Sequence, residues 1–254
     1  MITGDQPVGL TSWAAEPFPD PTRQAIVWVP YRRQATRPGL RYIPHMPQDI
    51  ALRCKCGRVR GIVDSVAPDR VCRARCYCPD CRAFLHFLER HDQLDAWGGT
   101  DVVQVEPCTV RITEGFDSLR CMKLAPAGMY RWYSGCCGTP FGNMISAGVP
   151  FIGIGRGAFD VPEQGDTAIF GESVGGQARF AVHGTPPNAH RIVSVRVAVR
   201  AVRCIVRWKL RSLGGKRPGP YFDDARRPVR EPRVLGTEER EALRARDAEP
   251  LPPA

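Results

Sequence analysis

Seven of the eleven cysteines stand in three tight groups, and no other feature restricts the chain as strongly: Cys54-Lys-Cys56-Gly, Cys76-Tyr-Cys78-Pro-Asp-Cys81 and Cys136-Cys137-Gly-Thr-Pro. Zinc takes deprotonated thiolates at about 2.3 Å in a tetrahedron, so its ligands converge from closely spaced positions on at least two pieces of chain. A C-x-C pair on a strand puts both sulfurs on one face, because side chains alternate with period two. Cys78 and Cys81 have a usual zinc-knuckle spacing, and Pro79 and Gly57 suit the tight turns involved. A single group would read as buried apolar cysteine, one of the most buried residue types. Three groups point to metal, with zinc preferred over an iron–sulfur cluster. The candidate ligands are Cys54, Cys56, Cys76, Cys78, Cys81, Cys136 and Cys137.

Composition decides between metal and disulfides. Eleven cysteines in 254 residues are about 4% of the chain, below the roughly 8–10% of a disulfide scaffold. The first twenty residues show no basic stretch followed by an apolar run, so no secretory signal is expected. The longest uncharged run, Trp132 to Gly155, is rich in glycine and unsuited to a lipid-facing helix. A cytoplasmic location, where thiols stay reduced, is the expectation.

Short strands are expected at Val59–Val66, Asp101–Glu106, Thr109–Glu114, Ser118–Leu124 and Met129–Tyr133, from their β-branched and aromatic content and period-two character. A short helix is expected after Cys81, through AFLHFLER. Runs of strands with few helices favour a mainly β fold of antiparallel sheets. Prolines crowd residues 1–47, with eight, and 218–254, with seven. The expected division is an irregular extension over 1–45, with Met46 as natural start, a zinc-binding β domain over 46–145, an extension over 146–217, and a Pro-rich tail over 218–254. That tail carries Tyr221-Phe222-Asp223, a docking candidate. It also holds a short helix from an N-cap at Thr237 to near Arg246.

The motifs RCKCGRVRG, CYCPDCRAF and WYSGCCGTPFGN, spread over roughly residues 52–145, together resemble the three signatures of the glutathione-dependent formaldehyde-activating enzyme (GFA) and centromere protein V superfamily. The long C-terminal portion is more similar to a bacterial branch of that superfamily than to the formaldehyde-activating enzymes. The resemblance implies a β-tent of antiparallel sheets stapled by two zinc ions. It places Cys54, Cys56 and Cys137 at a structural zinc, and Cys76, Cys78 and Cys81 at a three-thiolate zinc with one position open to substrate. The third signature departs from the pattern: Ser134 stands where the family has a cysteine, and a cysteine appears at Cys136. Either Cys136 supplies the fourth ligand through an altered turn, or another group does.

A three-ligand zinc can hold a substrate thiol as a nucleophilic thiolate. The activity implied by the resemblance is carbon–sulfur lyase chemistry on adducts of small aldehydes with a thiol such as glutathione. The alternative is a non-enzymatic, zinc-stapled interaction module. His86 and His91 follow the second group and could reach its zinc, but satisfied core or surface histidines are the simpler expectation. Asp80 reads as a turn former. Cys72, Cys108, Cys121 and Cys204 read as packing residues. The glycines of Gly153-Ile-Gly155-Arg-Gly157 are not a dinucleotide fingerprint.

The formal net charge is +10, and nine basic residues with no acidic one lie between Arg191 and Arg217. Ile192 to Leu213 reads as a helix stopped by Gly214-Gly215. Val195, Val199, Val202, Val206, Leu210 and Leu213 recur at helical spacing, and Arg196, Arg200, Arg203, Arg207 and Arg211 follow one residue later. Two partners are considered for residues 192–213. The favoured one is protein, with the valine arc packed on the β domain or on a second subunit and the arginines as the wet side. The other is an anionic membrane surface, with the valines inserted. Nucleic acid is not expected, since neither aromatic interleaving nor a binding motif is present.

Overall fold

The computed structural model describes residues 46–193, 195–212 and 219–248. Eleven strands occur among the described residues: β1 (Gln48–Arg53), β2 (Arg60–Val66), β3 (Cys72–Cys76), β4 (Thr100–Val105), β5 (Val110–Glu114), β6 (Leu119–Lys123), β7 (Tyr130–Ser134), β8 (Pro140–Met144), β9 (Ile152–Gly155), β10 (Val174–Gly176) and β11 (Arg233–Val234). Four α-helices accompany them: α1 (Pro79–Phe87), α2 (Asp166–Phe170), α3 (Val195–Ser212) and α4 (Thr237–Ala245). The fold is mainly β, as its strand-rich patterning implies.

β1, β2 and β5 form a three-stranded antiparallel sheet. The other eight form a second sheet in the order β10-β3-β4-β9-β8-β7-β6-β11. Its interior is antiparallel, but both edge pairs, β10 with β3 and β11 with β6, are parallel, which departs from the wholly antiparallel expectation. Alternating apolar residues of both sheets share one core: Leu52 and Val63 come from the smaller sheet, and Val103, Trp132, Phe141 and Ile154 from the larger.

The expected boundary at residue 145 does not hold. β9 lies inside the large sheet between β4 and β8, and β10 and β11 form its edges. Its glycines are the reason it does not read as a strand. A Cβ on Gly153 would lie 2.9 Å from Val102 Cγ1, and one on Gly155 would lie 2.8 Å from Pro140 Cγ, so close strand pairing excludes side chains there. The Pro-rich tail is likewise part of the core. Tyr221 and Phe222, read as a docking candidate, are buried; Tyr221 stacks on Trp132 with ring centroids 4.9 Å apart and donates a 2.7 Å hydrogen bond to the Phe141 carbonyl.

α3 does not pack its valine arc on the β domain, one of the two seats expected for it. Its valine arc faces outward, while Cys204 and Trp208 are buried in a cluster with Cys72 of β3. Two polar anchors hold it so. Arg200 donates to the carbonyls of Pro68 and Val71, and Arg211 pairs at 3.3 Å with Glu106, whose side chain is 6% exposed. Trp208, 2% exposed, and the two anchored arginines fix which face meets the sheet. The side chain of Arg196, together with Leu213, Gly214-Gly215, Lys216 and residues 1–45, lies outside the described set.

α4 begins after Gly236, so Thr237 is its first helical residue and not its N-cap. The helix runs along α1, and the turn after it delivers Asp247 to Arg82 Nη2 at 2.7 Å and His86 Nε2 at 3.1 Å. Burial opposes ionisation of Asp247, but the bonds from His86 and Arg82 outweigh it and hold the carboxyl below its usual range. The carboxylate's contribution is therefore complete above the unfolded value near 4 and is lost as pH falls through the lower folded value. Asp247→Asn is expected to cost about 1–2 kcal/mol, because it leaves the buried Arg82 without a charged partner. Chemical denaturation at neutral pH measures this loss, and wild type and variant should converge only as the pH falls through the folded value, which lies below the usual carboxylate range.

Candidate metal centre

Two cysteine groups assemble from the three sequence clusters: Cys54, Cys56, Cys136 and Cys137 in one, and Cys76, Cys78 and Cys81 in the other. Within each, the sulfurs lie within 4.8 Å of one another.

The first group joins the two sheets. Cys54 follows β1 directly, and Cys56 lies in the turn closed by the Gly57 N–H to the Cys54 carbonyl, with Gly57 at φ 78°. Cys136 and Cys137 sit in the β7–β8 turn, where Gly138 has φ 66° and a Cβ would lie 2.6 Å from the Leu88 carbonyl oxygen. The sulfur separations are 3.5 Å for Cys54–Cys56, 3.8 Å for Cys54–Cys136, 3.3 Å for Cys56–Cys136 and 3.9 Å for Cys136–Cys137. A tetrahedron with metal–sulfur bonds of about 2.3 Å has edges of about 3.8 Å, so the spacing and the all-sulfur donor set could hold a metal ion. Cys136 lies among the four sulfurs, in the turn that brings two adjacent cysteines to the group.

Ser134 has a distinct task here. Its Oγ accepts the Thr139 N–H at 3.0 Å and lies 3.4 Å from Cys137 Sγ. Thr139 Oγ1 accepts from the Lys55 N–H and from Arg90 Nη1, and it too lies 3.4 Å from Cys137 Sγ. Burial works against charge on Cys137, yet the Ser134 and Thr139 hydroxyls, with help from Cys56, bring its thiol down to about 5. Cys136 moves the other way, to about 12, through burial and its contacts with Cys56 and Cys54. Of the two adjacent free thiols, Cys137 is thus the one that carries negative charge.

The second group joins β3 to α1. Cys76 ends β3, Cys78 is the N-cap of α1 and Cys81 is the third helical residue, with its N–H on the Cys78 carbonyl at 3.1 Å. The helix starts at Pro79, earlier than the expected start after Cys81. Proline's preset φ suits the first helical position, and Asp80 lies in the first turn at the positive end of the dipole. N-cap and third residue face each other across a first turn, as in a capping box, so the two sulfurs meet. β3 is fixed from the side by buried ion pairs: Arg73 with Asp101 at 2.6 Å and with Asp166 at 2.7 Å, and Asp166 with Arg156 at 2.6 Å. As free thiols, Cys76, Cys78 and Cys81 are all raised, to about 11, 12 and 11, by sharing protons with each other and by burial.

Beside Cys81 lies a cavity of about 10 Å³, with Thr100, Arg131 and Asn143 in its wall. Arg131 is 3% exposed, donates to Asn143 Oδ1 at 3.2 Å and lies over the Phe84 ring at 5.2 Å. Its Nε has no hydrogen-bond partner, and it has no carboxylate partner among the described residues. A buried guanidinium in that state calls for a nearby negative charge. Sequence reasoning passed over Arg131, which precedes the third cysteine group on a strand that reads as ordinary β patterning.

His86 and His91 belong to neither cysteine group. His86 is held by Asp247, and His91 lies beside Arg246 and Glu89. Cys72, Cys121 and Cys204 are buried and Cys108 is half-buried, all away from the two groups.

Fold and site define a mainly β chain of two sheets with two cysteine groups able to hold metal ions. By its match to the family model over residues 46–232, the chain belongs to DUF6151, a family of unknown function. No curated protein matches it. Among solved structures it is similar to a Rhodobacter sphaeroides protein known from its crystal structure. The identity is 14%, over 47% of this chain and 97% of the other, and the TM-score is 0.34. The cysteine-rich fold is compatible with the GFA resemblance. No helix among the described residues is long and apolar enough to cross a membrane.

Proposed function

We propose that the chain is a two-zinc protein of β-tent type, with a structural ion at Cys54, Cys56, Cys136 and Cys137 and a second at Cys76, Cys78 and Cys81. We read the second as the seat of carbon–sulfur chemistry on adducts of small aldehydes with a thiol such as glutathione. The observation that carries the reading is the inequality of the two groups: four thiols converge at one and three at the other. A zinc ion with three thiolate ligands supplies an open coordination position and keeps a thiol deprotonated at neutral pH. In the adduct-forming direction the thiol gives up its proton, its sulfur bonds to the carbonyl carbon, the carbon–oxygen π pair moves to oxygen, and that oxygen takes up the proton the thiol released. Arg131 balances the negative charge of three thiolates around a divalent ion, and Asn143, held by Arg131, offers its amide N–H groups to an oxygen near Cys81.

Native mass spectrometry and carbon NMR test this reading. Two zinc ions per chain are expected, with formation of an S-hydroxymethyl adduct from glutathione and labelled formaldehyde above the uncatalysed rate. Cys78→Ser should retain one zinc and lose the acceleration. Equal rates for wild type and variant would sink the lyase reading, and zinc-free protein would sink both parts.

A further inference from the structure

α3 presents to solvent the face that its sequence suggests should be buried. Val195, Val199, Val202, Val206 and Leu210 are each between 51% and 78% exposed. At 100° per residue the five fall within an arc of roughly 80°, almost diametrically opposite the buried Cys204 and Trp208. The helix is not free to roll this stripe inward, because Arg200 and Arg211 are fastened to the Pro68 and Val71 carbonyls and to Glu106. Exposed Arg203 and Arg207 run along one flank of the stripe, and Lys209 lies on the other. No acidic residue occurs in α3.

We infer that this stripe docks on an anionic lipid surface, with the helix parallel to the bilayer, the valines in the headgroup–acyl boundary and the arginines at the headgroups. Charge selects this occupant. A second copy pairing stripe to stripe would bring cationic flanks together in either orientation, with no acidic residue on either helix and Asp69 alone set against Arg203, Arg207 and Lys209 beside the stripe. Residues 1–45 carry five arginines against three acidic residues, so they offer no complementary charge. Nucleic acid would satisfy the arginines but leave the valines without an apolar partner. The inference is independent of the metal reading, since neither cysteine group contributes to this face.

The test is co-sedimentation of the full chain with vesicles of phosphatidylserine and phosphatidylcholine. Binding should be at least about tenfold tighter than to phosphatidylcholine alone and should weaken as salt is raised. Val199→Asp with Val206→Asp should lower it by at least about tenfold, and Arg203→Gln with Arg207→Gln by about 30-fold. Neither pair should move the melting temperature, because the four side chains are exposed. Absence of binding to anionic vesicles overturns the inference, as does binding indifferent to the valine substitutions. A dimer that Val199→Asp with Val206→Asp dissolves assigns the face to a second copy and overturns it too.

Discussion

Cys54→Ser is expected to remove one metal ion and about 4 kcal/mol or more of stability, the scale at which loss of a metal site stands apart from ordinary substitutions. Cys54 is 1% exposed, its sulfur accepts the Val59 N–H at 3.2 Å, and it approaches both Cys56 and Cys136. Serine at that position keeps the volume but puts a poorly ionising hydroxyl among thiolates, and the ion loses a ligand that ties the smaller sheet to the β7–β8 turn. At about 2–4 °C per kcal/mol for a chain of this size, the melting temperature should fall by about 8–16 °C. Native mass spectrometry and a thermal melt check both halves. A chelator should bring the wild type down by a similar amount and leave the melting temperature of the variant much less changed. If the variant melts with the wild type, the group contributes no metal-dependent stability.

Arg131→Met is expected to act with opposite signs in loaded and metal-free protein. On the proposed reading, three thiolates around a divalent ion would leave one net negative charge, and Arg131, the buried cation beside Cys81, would compensate it. Removing it should weaken metal retention at Cys76, Cys78 and Cys81 by about 100-fold, the upper range for partners of metal ligands. Without metal the three thiols keep their protons, and the guanidinium is then a buried charge with an orphaned Nε. The variant should accordingly be as stable as metal-free wild type, or more so. A chelator competition titration gives the first quantity and melts of the chelated proteins the second. Equal metal affinity in the two proteins would mean that Arg131 serves packing alone.

Local chemistry explains which features were legible in the sequence. The strands at β2, β4, β5, β6 and β7 announce themselves through β-branched and aromatic alternation. The gathering of seven cysteines follows from spacing, although spacing alone left Cys136 undecided between ligand and bystander. β8 and β9 were hidden because their signal is subtractive: Gly142, Gly153 and Gly155 are required by close neighbours, and a residue needed for its lack of a side chain resembles a loop. β3 was hidden because its Cys-Arg-Ala-Arg-Cys sequence lacks strand formers and is held by Asp101 and Asp166, partners distant in sequence. The roll of α3 on the β domain is not legible, because periodicity finds an apolar face without saying whether another face holds a stronger anchor. Trp208, Arg200 and Arg211 decided that question through Cys72, two loop carbonyls and Glu106. The role of Ser134 emerged only when its hydroxyl was placed against Cys137 and its Oγ against the Thr139 N–H.

The separation between the halves of the first cysteine group has a consequence for synthesis. Cys54 and Cys136 stand 82 positions apart along the chain. At about 5–20 residues per second, a nascent chain shows Cys54 and Cys56 to the cell for about 4–16 seconds before their partners exist. In that interval they are a bare dithiol, open to scavenging by soft monovalent metals or to oxidation. The second group, only five positions from Cys76 to Cys81, is complete almost as soon as it leaves the ribosome. Newborn protein should therefore acquire its metals in a fixed order, the three-thiol set first, and the four-thiol set should be where errors of maturation collect.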